Sequence, residues 1–88
     1  TSSANKNPTG DYALVKDSPV RRCLPKLRAK FPSLTIAVDL CLCGYTSHGH
    51  CGILYENGTI NNTASIQRLA EIALSFAQDG AHIIAPSD

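Results

Sequence analysis

Two short apolar runs constrain this chain more than any other feature: "LTIAVDL" at 34–40 and "AHIIA" at 81–85. The first is β-branched and shows no polar alternation until Asp39, and the second reads the same way. That is the pattern of a strand covered on both faces, as in a parallel sheet. Parallel strands need a crossover of a dozen residues or more, usually a helix. The intervening segment supplies one over 63–79. Asn62 or Thr63 can cap it, Ile66, Leu69, Ala70, Ala73, Phe76 and Ala77 form its apolar stripe, and Asp79-Gly80 stops it. The expected unit is strand, long loop, helix, strand: a βαβ unit with a right-handed crossover.

A further helix is expected over 18–31. Ser18-Pro19 offers a capping oxygen and then a proline in the first turn, where no N–H is needed. Val20, Cys23, Leu24, Leu27 and Phe31 share one face, and Phe31-Pro32 ends the run. Cys23 is therefore expected in the core. Arg21, Arg22, Lys26, Arg28 and Lys30 read as a solvated face, the later ones suited to the negative helix end. Pro25 removes a backbone hydrogen bond, so a kink is expected there with the ring on the polar side. Residues 1–17 read as loop or as part of a preceding unit.

Chemistry concentrates in the loop 41–61, above all in "DLCLCGYTSHGHCG" at 39–52. In α/β folds function collects at the carboxyl ends of the strands. Asp39 ends the first strand, and continued extension sends Asp39, Cys41 and Cys43 to one side. Ser87 and Asp88 follow the second strand and belong at the same edge, with His48, His50 and Cys51 arching over it. Gly44, Ser47, Gly49 and Gly52 mark a loop rather than a core that uses cysteine as a small hydrophobe. Cys41, Cys43 and Cys51 can reach a single ion, and thiolates select zinc over magnesium or calcium. A structural zinc would need a fourth protein ligand, His48 or His50, whereas a catalytic zinc keeps a position open. The spacing leaves both readings standing. A secreted disulfide domain, superficially supported by the sequons Asn57-Gly58-Thr59 and Asn61-Asn62-Thr63, fits less well. A direct Cys41–Cys43 bridge would be strained, and a core Cys23 leaves an odd thiol. Asp39 reads as a carboxylate beside a cation rather than a strand-end cap. His82, alone in an apolar strand, reads as a hydrogen-bonded core or interface residue.

Composition narrows the partners. Eight basic and seven acidic side chains give a net charge of +1 over 88 residues, which offers no field for nucleic acid or an anionic membrane. No apolar run approaches the ~20 residues of a spanning helix. The polar start "TSSANKNPTG" is neither signal nor transit peptide, so a cytoplasmic location is expected.

"VDLCLCGYTSHGHCG" and the later "RLAEIALSFAQDGAHIIAPSD" closely resemble the zinc-type porphobilinogen synthases, also called 5-aminolevulinate dehydratases. The resemblance runs from "SPVRRCLPKLRAKFPSL" to the last residue, and more faintly back to "KNPTG". It implies a TIM (β/α)8 barrel, of which a chain this long is roughly a quarter to a third, so an internal fragment is expected. It implies condensation of two 5-aminolevulinate molecules to porphobilinogen with loss of two waters, in haem and tetrapyrrole synthesis. It also implies a catalytic zinc on Cys41, Cys43 and Cys51, active-site roles for Asp39 and Ser87, and a loop-ordering role beside the metal for His50. Family members are typically homo-octamers. Their Schiff bases form on lysines of later strands, and Lys6, Lys16, Lys26 and Lys30 all precede the zinc motif and match none of them. The fragment alone is therefore expected to be inactive. Gly44 stands where many relatives have proline or an acidic residue, and Pro25 interrupts a helix usually free of proline. Some relatives replace the cysteines with carboxylates and use magnesium; three cysteines point to the zinc branch.

Overall fold

The computed structural model describes residues 1–87; Asp88, expected beside Ser87, lies outside the described residues. Helix α1 spans Pro19–Lys30, strand β1 Ala37–Leu40, helix α2 Asn62–Asp79 and strand β2 Ile83–Pro86. Short 3-10 turns at Ser3–Asn5 and Asp11–Leu14 precede them. The strands pair in parallel, with Ala37 opposite Ile83 and Leu40 opposite Pro86, and α2 makes the connection between them.

Both strands start later than the apolar runs. Ala81 N–H is already committed to the end of α2, donating to Phe76 O at 3.0 Å. The ladder then begins where His82 and Ile83 N–H both donate to Ile36 O. His82 Nδ1 accepts from Ile36 N–H at 3.1 Å, so the histidine is hydrogen-bonded, but it is exposed rather than in the core.

The expected two-sided burial is not observed. Ile36 and Leu40 point into a core with Ala13, Leu24, Leu42, Ile72 and Phe76, while Ala37, Asp39, Ile83 and Ala85 are exposed. Helices cover one face of this two-stranded sheet, and the other is open. The alternation is that of a half-covered strand.

Helix α1 continues through Pro25 from Pro19 to Lys30. The ring lies on the exposed side as expected, where water can satisfy the carbonyl it leaves without a donor. Ser18 occupies the N-cap position with extended backbone, yet its side chain makes no capping bond. Its N–H is held by Val15 O, and its hydroxyl is buried without a partner. Cys23 is exposed, not core: Leu24 takes the buried line of the helix, with Val20 and Leu27 half-buried, and Cys23 faces an open groove. Nor are all the basic side chains solvated. Arg21 pairs with Asp79 at 2.6 Å and donates to Leu14 O, and Arg28 donates to Gly80 O at 2.9 Å. Gly80 has φ +125°, and a Cβ there would lie 2.6 Å from Arg28 Cγ, so glycine is required where the two helices meet.

The buried line of α2 is Ser65, Ile72 and Phe76, with Leu69 and Ala73 packed beside it. Ile66, Ala70 and Ala77, expected on that line, are exposed and form an adjoining apolar edge. Asn61 caps α2, its side chain accepting from Ala64 N–H at 3.1 Å. No helix is long and apolar enough to cross a membrane among the described residues.

Candidate metal centre

The alternation of β1 carries past its last paired residue. Leu40 and Leu42 are buried, and Asp39, Cys41 and Cys43 emerge on the other side. Leu42, 0% exposed, also nucleates the turn that follows, its carbonyl accepting from Tyr45 N–H at 2.8 Å and Thr46 N–H at 3.0 Å. Buried Thr46 donates its hydroxyl to His50 O at 2.8 Å, closing the His48–His50 bend and bringing the chain back. Just after Cys51, Ser65 of α2 takes hold: its hydroxyl accepts from Ile53 N–H at 2.8 Å and donates to Asn61 O at 2.6 Å.

This path brings the sulfurs of Cys41, Cys43 and Cys51 within 4.8 Å of one another. Cys41 Sγ donates to Cys43 Sγ at 3.4 Å. A zinc ion with Zn–S bonds of ~2.3 Å sets its sulfurs ~3.8 Å apart in a tetrahedron, so the cluster has the size and softness such an ion needs. Cys41 and Cys51 are half-buried and Cys43 exposed, which leaves one side of the cluster open. Cys43 and Cys51 hold their protons beside Cys41. The hydrogen bond with Cys41 pushes the Cys51 thiol up to about 12, reinforced by burial and by the neighbouring sulfurs. Cys43 is raised by the same partner and by burial. A cation would reverse this, because binding thiolates means displacing protons.

Neither histidine belongs to the cluster among the described residues. His48 Nδ1 accepts from His50 N–H at 3.1 Å, and Nε2 lies 3.3 Å from Pro8 O. His50 is exposed, its ring 5.5 Å from that of His48.

Asp39 and Ser87 meet at the carboxyl ends of the strands. Ser87 donates its hydroxyl to Asp39 Oδ1 at 2.5 Å and its N–H to Leu40 O at 3.2 Å. Asp39, Cys41, Cys43 and Tyr45 line one groove of about 540 Å³, whose other wall includes Val20, Cys23 and Leu27 of α1. Tyr45 is a further residue of the site. Its phenol is pushed up by burial and then by the charge of Asp39, which identifies it as a wall of the site. Its only sequence signal is its place inside the cysteine loop.

A sequence model described as delta-aminolevulinic acid dehydratase matches residues 1–88. The delta-aminolevulinic acid dehydratase of Candida glabrata is 51% identical over 83 residues, 94% of this chain and 24% of that protein. That of Bos taurus is 52% identical over 83 residues, again 94% of this chain and 25% of its own length. The crystal structure of the Toxoplasma gondii enzyme, in complex with its reaction product porphobilinogen, superposes with a TM-score of 0.94 at 28% identity, covering 99% of this chain and 25% of that one. The chain thus spans about a quarter of the length of these relatives, and its helices and parallel strand pair are a section of a TIM (β/α)8 barrel.

Proposed function

The chain belongs to the delta-aminolevulinic acid dehydratase family, and from that premise we propose that it is the zinc-bearing section of a porphobilinogen synthase, which condenses two 5-aminolevulinate molecules with loss of two waters. The observation that carries this reading is the three-thiol cluster at the carboxyl end of a parallel strand pair. Cys41, Cys43 and Cys51 would hold the ion. A zinc ion held there would supply Lewis-acid chemistry to a substrate oxygen. The exposed side of Cys43 leaves room for substrate. Asp39, its Oδ1 fixed by the Ser87 hydroxyl, presents a carboxylate on the strand edge next to the cluster, oriented to accept a proton from a substrate amine or water. Ser87 sets that orientation. His50 orders the loop through its backbone, holding Thr46 and His48. A closed, non-catalytic zinc module would need a histidine among the ligands, and no observation favours one.

The Schiff-base lysines of such a reaction are not among Lys6, Lys16, Lys26 and Lys30, so this chain by itself does not turn over 5-aminolevulinate. A cytoplasmic homo-octamer is the parent assembly the reading implies. The test is to exchange this segment for the corresponding quarter of a full-length relative. A chimera that forms porphobilinogen, and loses that activity with Cys41→Ser, is expected; a folded, zinc-loaded but inert chimera would contradict the assignment.

A further inference from the structure

We propose that residues 7–10 are a strap that positions the metal loop, with Asn7 and Gly10 as its positioning residues; this rests on the metal reading above. Asn7 forms a parallel bridge with Thr46, in the loop between Cys43 and Cys51. Its N–H donates to Tyr45 O at 3.3 Å, and its carbonyl accepts from Ser47 N–H at 3.1 Å. The loop is therefore held by main-chain bonds on both sides of Thr46. The next residue adds a third point: His48 Nδ1 accepts from His50 N–H, so Nε2 carries the ring proton and donates to Pro8 O at 3.3 Å.

Gly10 makes the closest approach. It is buried with φ +64°, and a Cβ there would lie 2.8 Å from Leu42 Cδ2 and 3.6 Å from Tyr45 Cβ. Leu42 is the residue between Cys41 and Cys43. Any side chain at position 10 presses directly on the spacer that sets two of the three sulfurs, in a backbone conformation that L-residues resist.

The Asn7 side chain builds the turn that delivers Gly10. Its Oδ1 accepts from Thr9 N–H at 3.2 Å and Asp11 N–H at 3.0 Å, and its Nδ2 donates to Asp11 Oδ2 at 3.0 Å. Asp11 in turn pairs with Arg68 of α2 at 3.2 Å. The strap is anchored on a helix rather than on the loop it holds, so it fixes the loop from outside. Groups that orient ligands without touching the metal change affinity by ~10–100-fold.

The test titrates the full chain with Co2+, reading the thiolate-to-cobalt absorption band, and records the thermal midpoint of the metal-free protein alongside. Gly10→Ala is expected to weaken Co2+ binding by ~10–100-fold, and Asn7→Ala by ~10-fold. Adding Leu42→Val to Gly10→Ala removes the atom that is crowded and recovers part of the loss. Arg28→Ala, whose side chain lies against Gly80 instead, lowers the midpoint and leaves affinity unchanged. Wild-type affinity in both strap variants, or equal weakening by Arg28→Ala, would overturn the strap. Absence of the band in the unsubstituted chain is a different result: it removes the metal reading itself and the strap with it.

Discussion

Between Cys41 and Leu54 every turn is held by hydrogen bonds: Leu42 O takes two amides and Thr46 holds His50, while Asn7 and Ser65 grip the loop from either side. The sheet that carries this loop is less enclosed. Only one face of β1 and β2 is covered, and Ala37, Ile83 and Ala85 are exposed on the other. The bonds that hold the cysteine loop lie within this chain, whereas the scaffold is a section of a larger barrel. Site and scaffold thus divide along the chain, and local hydrogen bonds can hold a ligand set even where the core is thin.

That contrast can be strained from either side. The largest effect is expected in the thin core: Phe76→Ala, at a side chain 2% exposed, removes about 3–5 kcal/mol. For so small a core this would appear as loss of cooperative unfolding by circular dichroism; a fully cooperative melt would show the scaffold to be sturdier than its open face suggests. Arg21→Ala comes next. It breaks the pair with Asp79, side chains 16% and 17% exposed, and strands a carboxylate at the negative end of α2. A loss of about 2 kcal/mol in urea unfolding is expected.

On the site side, the raised Cys51 thiol gives a pH dependence with a definite sign. The folded metal-free chain keeps protons that the unfolded chain releases, so stability falls as pH rises between 9.0 and about 12. With metal bound the thiols are already deprotonated, and that alkaline loss should shrink. Denaturant midpoints across this window, with and without zinc, measure both. The smallest effect belongs to the open edge of α2: Ile66→Ser, at a residue 56% exposed, should change stability by less than about 0.5 kcal/mol here. A larger cost would mean that this edge is already covered.

Much of the site was legible because its information is local. The parity of Asp39, Cys41 and Cys43 follows from a strand's two-residue period, a short loop returns Cys51, and the three sulfurs converge. The βαβ order was legible for the same reason. What escaped depends on contacts distant in sequence. Cys23 and Ile66 fit their helical stripes, but which edge of a stripe is buried is decided by what packs against it. Ser18 has the chemistry of a cap, but a backbone turn to Val15 holds it instead. The unalternating apolar runs point to strands covered on both faces, but what packs on the second face is not written in the runs themselves. The strap of Asn7 and Gly10 lies in a stretch that reads as loop or as part of a preceding unit, since nothing in "KNPTG" announces its pairing with Thr46.

The most direct measurement is zinc titration of the chain followed by alkylation and mass mapping of its thiols. One equivalent of zinc should protect Cys41, Cys43 and Cys51 and leave Cys23 reactive. Equal alkylation of all four cysteines at saturating zinc, or protection that includes Cys23, would contradict the three-thiolate centre.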